Sequence, residues 1–472
     1  MTRTLYGPFS RVEGHLEIEL DRTDTQVTSA RVNSPMFRGM ETVMVNRAPM
    51  DALTIAPRIC GICSVSQSVA AAKVLANLSG VEAPINGQLI TNLILACEVL
   101  SNHLTHFYMF FMPDFARDIY QGRSWFDDAK RFKAETGPAQ AEMLEARTRL
   151  LHIMGVLAGK WPHTLTIRPG GTTQTIKTAE KLKLKSILRG FRRFLEQSVF
   201  NGTLEDVMKL SAFDDIKDGD LGTFLKASKD IGLNEIGKTK SGLISGGGFD
   251  GIDGPLFQQG LYKDQQLQPL PVDDIREDIT HSFMGGQMIQ MPFEGSTDPF
   301  LDKADAYSWC KAPRLDGARC EVGALARHVV NGHDLFKASY DQNASTVENR
   351  IFARVWEMAE LVIEMESWVD QINPDGEFFV ETNFPREGQA FGFVEAARGT
   401  LGHWMTIEYD VISNYQIIAP TTWNFSPRDH MDQTGPLENA LENTPIHNGE
   451  DDPVNVQHIV RSFDPCMACT VH

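Results

Sequence analysis

Hydrophobic residues recur along this chain with two periods, one suited to strands and one to helices. His15-Leu-Glu-Ile-Glu-Leu20 alternates polar and apolar side chains, Asp21 to Asp24 supplies turn residues, and Val27 to Val32 alternates again. Alternation interrupted by turn formers predicts a β-hairpin. Ser64 to Ser79 carries Ala and Val at helical spacing, and longer helical patterns run over Gly87–Met112, Pro138–Gly159, Thr178–Ser198 and Ser345–Ile372. The most apolar stretch, Leu89 to Met112, is interrupted by Asn92, Glu98, Asn102, His103 and His106, which predicts a buried helix and no membrane span. Leu204 to Asp278 is rich in Gly, Asp and Lys and includes Gly246-Gly-Gly248, a composition that predicts irregular chain with short strands. Thr400 to Pro420 predicts a second hairpin around Glu408-Tyr-Asp410, and Asn455–Phe463 a short helix. The expected fold is mainly α with minor β (α+β), a central bundle of long helices with small antiparallel sheets at its periphery.

Composition narrows the class of function. At 472 residues, length alone would suggest about three domains. With 42% apolar and 22% charged residues the chain has the make-up of an ordinary globular protein with a large core. A formal charge of −18, with no basic run, argues against nucleic acid or an anionic membrane surface as a partner. No charged n-region followed by an apolar h-region opens the chain.

Seven cysteines change the picture. An odd count in so long a chain favours a reducing compartment, the cytoplasm, and metal ligation over disulfides. Four of the seven form two Cys-x-x-Cys pairs at opposite ends, Cys60-Gly-Ile-Cys63 and Cys466-Met-Ala-Cys469. Two cysteines three apart on a turn can aim both sulfurs at one metal. If the two pairs meet, residues 1–472 form a single interwoven domain built around one site. A structural zinc site is the plain alternative, yet such pairs usually sit within a few tens of residues on a small module. Cys63 also opens a predicted helix, whose positive dipole end stabilises thiolate. A thioredoxin-like redox pair would need only one such motif, and neither pair has a βαβ context.

Arg58-Ile-Cys-Gly-Ile-Cys63 and Asp464-Pro-Cys-Met-Ala-Cys-Thr-Val-His472 resemble the two signature motifs of nickel–iron hydrogenase large subunits. Further matches lie between them in order: Arg11-Val-Glu-Gly-His15, Arg38-Gly-Met-Glu41, His103-Leu-Thr-His-Phe-Tyr108, Lys311-Ala-Pro-Arg314 with Glu321-Val-Gly323, and Gly402-His-Trp404 leading to Pro420-Thr-Thr-Trp-Asn424. The related respiratory-complex subunits that lost the metal lack these cysteines. The resemblance implies the nickel–iron hydrogenase large-subunit fold, with nickel held by Cys60, Cys63, Cys466 and Cys469. Cys63 and Cys469 would bridge to an iron carrying carbon monoxide and two cyanide ligands. Soft thiolates suit nickel, and a dinuclear centre can polarise dihydrogen between Lewis acid and base. Dihydrogen would then split heterolytically, its proton leaving on a terminal cysteine sulfur.

The same resemblance gives roles to other residues. Glu13 matches the proton relay from that sulfur, Arg398 the guanidinium lying over the metals, and Asp464 its carboxylate partner. Asp114 aligns with an aspartate that many members place beside this arginine, although Pro113 and Phe115 depart from the usual neighbours, as Ala397 does before Arg398. Glu41, the carbonyl of Ile417 and His472 correspond to a buried magnesium site. His15, His103 and His106 are expected to be satisfied core histidines. Where most members carry histidine four residues past the second cysteine, this chain has Gln67, which marks the regulatory, hydrogen-sensing type. Ile62 and Phe110 agree with that type, in which bulky residues narrow the gas channel. Sensors are also made without the cleavable tail of catalytic relatives, and the chain stops at His472. Iron–sulfur clusters are expected only in a partner small subunit, which takes the electrons, and a histidine kinase would read the state of a sensor. A respiratory uptake hydrogenase feeding a membrane electron chain is the alternative role.

Overall fold

The computed structural model describes residues 2–447 and 453–472. Two long helices, Ile85–Thr105 and Val347–Gln371, pack against each other at the centre. The first is buried on almost every face, so its polar residues must find partners inside the protein. Asn92 donates to the carbonyl of Asp250 at 2.7 Å, Asn102 to Asp464 at 2.7 Å, and His103 meets Glu357 at 2.9 Å. Three of the residues that break the apolar run are therefore its links to the strand carrying Asp250, to the second long helix and to the C-terminal cysteine loop. Full burial of side chains such as Leu93, Ile94 and Leu100 stabilises this packing by about 1.5–3 kcal/mol each.

Helix ends follow local chemistry. Val347–Gln371 starts with a reciprocal cap: Asn349 N–H donates to Thr346 Oγ1 at 3.2 Å, and Thr346 N–H donates to Asn349 Oδ1 at 2.7 Å. Ile85–Thr105 stops short of Met112. It widens into a π-helical turn over His106–Phe111 and then a 3-10 turn over Met112–Ala116, because Pro113 lacks an N–H and crowds the preceding turn. The pattern over 138–159 divides into Pro138–Leu150 and His152–Leu157, where Gly155 and the β-branched Ile153 and Val156 weaken helix propensity. Thr178–Phe194 continues into a π turn at Leu195–Val199, and the expected short helix before the second cysteine pair is Val454–Ser462.

Both hairpins are present, and each gains a strand that alternation did not reveal. Thr2–Tyr6 pairs with Glu17–Arg22, which pairs with Val27–Asn33. Gly388–Ala396 pairs with Gly399–Glu408, which turns at Tyr409 and Asp410, both at positive φ, into Val411–Ile418. The main departure lies in 204–278. That stretch contains a helix, Gly219–Ile231, and two ten-residue antiparallel strands, Gly242–Gly251 and Gly254–Lys263. Gly246 is in a strand because another sheet lies against it: a Cβ there would sit 2.7 Å from Thr400 Cγ2 and 2.9 Å from Phe393 Cβ.

The chain's two ends are laced together. Val27 N–H donates to the carbonyl of Thr444 at 3.0 Å, Asn443 N–H to that of Val27 at 2.9 Å, and Ile446 N–H to that of Thr25 at 2.8 Å. Glu13 and Cys466 form an isolated parallel bridge. Among the described residues, no helix is long and apolar enough to cross a membrane.

Candidate metal centre

The four cysteines meet. Cys63 caps the N-terminus of the Ser64–Ser79 helix, and Cys466 that of a short turn of helix, Met467–Thr470. The Cys63 helix start is fixed by Glu98, whose carboxylate accepts from the backbone N–H groups of Val65 at 2.8 Å and Ser66 at 2.9 Å. Asp464, at φ 56°, turns the chain into the second loop, where Cys466 N–H donates to Thr421 Oγ1 at 3.2 Å. The Sγ atoms of Cys63 and Cys469 are 2.9 Å apart, those of Cys466 and Cys469 3.0 Å, and those of Cys60 and Cys466 3.5 Å. All are free thiols and all four lie within 4.8 Å of one another. Burial, and then Cys469, push the Cys466 thiol well above its ordinary value, whereas hydrogen bonds from Cys466, Cys469 and Cys63 hold Cys60 far below it. The cluster cannot carry four negative charges alone. A soft divalent cation would neutralise them, which is the fit expected of nickel.

Other expected residues surround the sulfurs. Glu13 Oε2 is 3.0 Å from Cys466 Sγ and accepts from Ala468 N–H at 3.2 Å. Arg398 donates through Nε to the carbonyl of Asp464 at 2.7 Å and through Nη2 to Asp464 Oδ1 at 3.2 Å. Burial opposes the Arg398 charge, but Asp464 and then Cys466, Cys63 and Cys469 outweigh it and hold the guanidinium protonated. Asp464 stays ionised despite burial because Arg398, His106 and Arg354 favour its charge. Beside Cys63 and Cys469 a cavity of about 20 Å³ opens, lined among others by Gln67, Arg398, Leu401, Pro420 and Thr421. Gln67 is buried there, and its Oε1 accepts from His403 Nε2 at 2.8 Å. Burial first, then the charge of His472, lowers His403 to about 3, so it is neutral and its Nδ1 accepts from Tyr415 at 2.8 Å.

Glu41, Ile417 and His472 also converge. His472 Nε2 is 2.8 Å from the Ile417 carbonyl and 3.2 Å from Glu41 Oε1. They border a second cavity of about 20 Å³ together with Glu277 and Lys311. Asp114 is the correction. It pairs with Arg11 and, at 2.7 Å, with Arg461 rather than with Arg398, whose bonds go to Asp464. The 3-10 turn at Pro113 carries it toward the C-terminal helix. Ile62 and Phe110 are each half-buried, Ile62 at the margin of the main core. His103 and His106 are buried and partnered, whereas His15 is half-exposed, its side chain 43% accessible and its Nε2 3.2 Å from Glu17 Oε1.

Several contributors escaped the sequence reading. Arg38 clamps both cysteine loops, donating to the carbonyls of Ile59 and, at 2.6 Å, Ala468. Thr422 donates to the Thr470 carbonyl at 3.0 Å, and Asn102 and Glu98 hold Asp464 and the Cys63 helix. Arg38, His403 and Thr422 stand inside quoted motifs, so the signal was position within them; Asn102 and Glu98 carried only the signal of polarity in an apolar run.

Known proteins share this arrangement. The family described as nickel-dependent hydrogenase matches residues 38–131 and 139–472. The chain belongs to the nickel-dependent hydrogenase family. It is 32% identical to the periplasmic NiFeSe hydrogenase large subunit of Desulfomicrobium baculatum, across 98% of this chain and 94% of the relative. It is 28% identical to the hydrogenase-2 large chain of Escherichia coli K12, covering 100% and 97%, and 26% identical to the uptake hydrogenase large subunit of Bradyrhizobium diazoefficiens, covering 100% and 95%. The oxidised Ni-Fe-Se hydrogenase of D. vulgaris Hildenborough superimposes with a TM-score of 0.87 at 28% identity over the whole of both chains. The expected fold class and hydrogenase identity therefore hold.

Proposed function

We propose that this large subunit binds dihydrogen at a nickel–iron group held by Cys60, Cys63, Cys466 and Cys469 and splits it heterolytically. When bound, that group supplies the Lewis acid that polarises dihydrogen. The chain's residues do the rest. Cys466 Sγ takes the proton and passes it to Glu13 Oε2, 3.0 Å away, which is the observation that carries the reading. Arg398 supplies donors that stay protonated over the cavity beside Cys63 and Cys469, suited to an iron bearing carbon monoxide and two cyanides. Glu41, the Ile417 carbonyl and His472 offer a magnesium site of hard donors. With all seven cysteines buried or half-buried as free thiols and four of them at one site, electrons leave through an iron–sulfur small subunit.

Within this activity two roles compete. The named relatives, which include periplasmic and uptake hydrogenases, support delivery of electrons to a respiratory chain better than they support sensing. Gln67 favours the sensing role, with a histidine kinase as reader: an amide hydrogen-bonded to a neutral histidine replaces a titratable imidazole beside Cys63. The reduced cysteine set is the argument for a cytoplasmic setting. Metal analysis tests the shared activity: one nickel and one iron per chain, with infrared bands of carbon monoxide and cyanide, are expected, and zinc alone would reduce the chain to a scaffold. Turnover separates the roles. Slow dihydrogen oxidation that survives dioxygen is expected of a sensor; rapid oxidation strongly inhibited by dioxygen would sink that reading.

A further inference from the structure

A second group of ligand-bearing side chains lies on other elements. His328 lies in the buried helix Ala324–Val330, His333 follows the turn made by Gly332 at φ 78°, and Glu360 projects from Val347–Gln371. His333 N–H donates to the carbonyl of His328 at 3.1 Å, which fixes the reversal that brings the two imidazoles to one side. One ligand atom from each of the three residues lies within 4.8 Å of the others. His333 Nε2 is 3.3 Å from Glu360 Oε1, and His328 Nδ1 is 3.8 Å from Glu360 Oε2.

Ordinary hydrogen bonding does not account for these positions. His328 is fully buried and Glu360 nearly so, yet both ring nitrogens of His328 and Glu360 Oε2 have no hydrogen-bond partner. Such groups in a protein interior are costly to leave unmade. A separation of 3.8 Å is too long for a hydrogen bond, but it is close to the roughly 3.3–3.6 Å between two ligands bound at about 2.0–2.2 Å to one tetrahedral ion. The rings are also preset. His328 stacks on Phe336 at 4.8 Å and meets the edge of Trp356 at 5.0 Å, and His333 meets Trp356 at 5.1 Å. The far nitrogen of His328, Nε2, lies 3.1 Å from Glu357 Oε2 without the geometry of a hydrogen bond. His333 is partly exposed, which leaves a side open to water.

We propose that His328, His333 and Glu360 form a second metal site for a first-row divalent ion, zinc being the natural occupant of two imidazoles and a carboxylate. The ion would tie the turn after the Ala324–Val330 helix to the central long helix, with water completing its shell. The full chain carrying its native metals, incubated with zinc and freed of excess, is expected to retain one added zinc per chain. His333→Ala and Glu360→Gln should each lose that zinc while nickel and iron content stay unchanged, which also reports that the variants fold. Zinc-edge X-ray absorption should give only nitrogen and oxygen neighbours at about 2.0 Å. No added zinc in the parent, retention by both variants, or a sulfur shell at about 2.3 Å would each overturn the site.

Discussion

Glu13 Oε2 accepts from Cys466 Sγ at 3.0 Å although 453 positions separate the two residues in the chain. The contact is fixed twice more by the backbone, through Met467 N–H to the Glu13 carbonyl at 2.9 Å and Ala468 N–H to Glu13 Oε2 at 3.2 Å. Glu13→Gln preserves the shape and removes the proton acceptor. Dihydrogen oxidation and hydrogen–deuterium exchange should fall by about 10²–10⁴-fold at unchanged nickel content. Exchange at the parent rate would mean that the proton leaves by another group.

Arg398 and Asp464 are a buried pair, and breaking one side of such a pair costs more than the pair itself contributes. Arg398→Leu leaves the Asp464 carboxylate buried, so a loss of about 3–5 kcal/mol in urea unfolding is expected. Arg398→Lys keeps the charge but cannot reach both the carbonyl and Oδ1 of Asp464, and should fall between parent and Leu. Equal stability of the Leu variant and the parent would show that Asn102, His106 and Arg354 suffice for Asp464.

The helical core was legible because its periodicity is local: Ser64–Ser79 and Val347–Gln371 lie within two residues of their expected bounds. Sheets were legible only where polar and apolar residues alternate. Gly388–Ala396 is buried along most of its length, down to Glu395, which Arg327 neutralises at 3.0 Å, so no alternation marks it. The full length of the Gly246 strand, where short strands were expected, was hidden for a related reason, since its glycine answers to a neighbour more than 100 residues away. At the site, the cysteine set was legible from spacing and resemblance. The position of Asp114 was not, because Arg11 and Arg461 reach it only after the fold forms.

Burial lowers His458 to about 4, with Asp114 opposing and Arg461, Arg117 and Arg11 adding to the effect. The ring lies flat on Phe115 at 5.1 Å and faces Tyr120 at 2.8 Å. Its folded value is below the unfolded one of 6.5, so the unfolded chain binds the extra proton between them. Its contribution is complete above about pH 6.5 and is lost as pH falls toward 4, by about 3 kcal/mol. His458→Gln should be less stable at pH 7 yet lose less between pH 7 and 4, as measured by denaturant unfolding at each pH. Parallel pH profiles would exclude the ring from this acid sensitivity.

Gln67 accepts from a histidine that burial keeps neutral, so nothing titrates at that point beside Cys63 near pH 7. Gln67→His would put a second imidazole against His403, and the new ring could donate toward the sulfur as well as change charge. If the amide is what slows turnover and shields the centre, the variant should oxidise dihydrogen at least about tenfold faster, a change of about 1.4 kcal/mol in the barrier. It should also become sensitive to dioxygen. Both are read by amperometric dihydrogen uptake before and after exposure to air, with nickel content as the control for assembly. A variant unchanged in rate and in tolerance would leave the sensing role without its observation, and electron delivery, which the relatives favour, would stand.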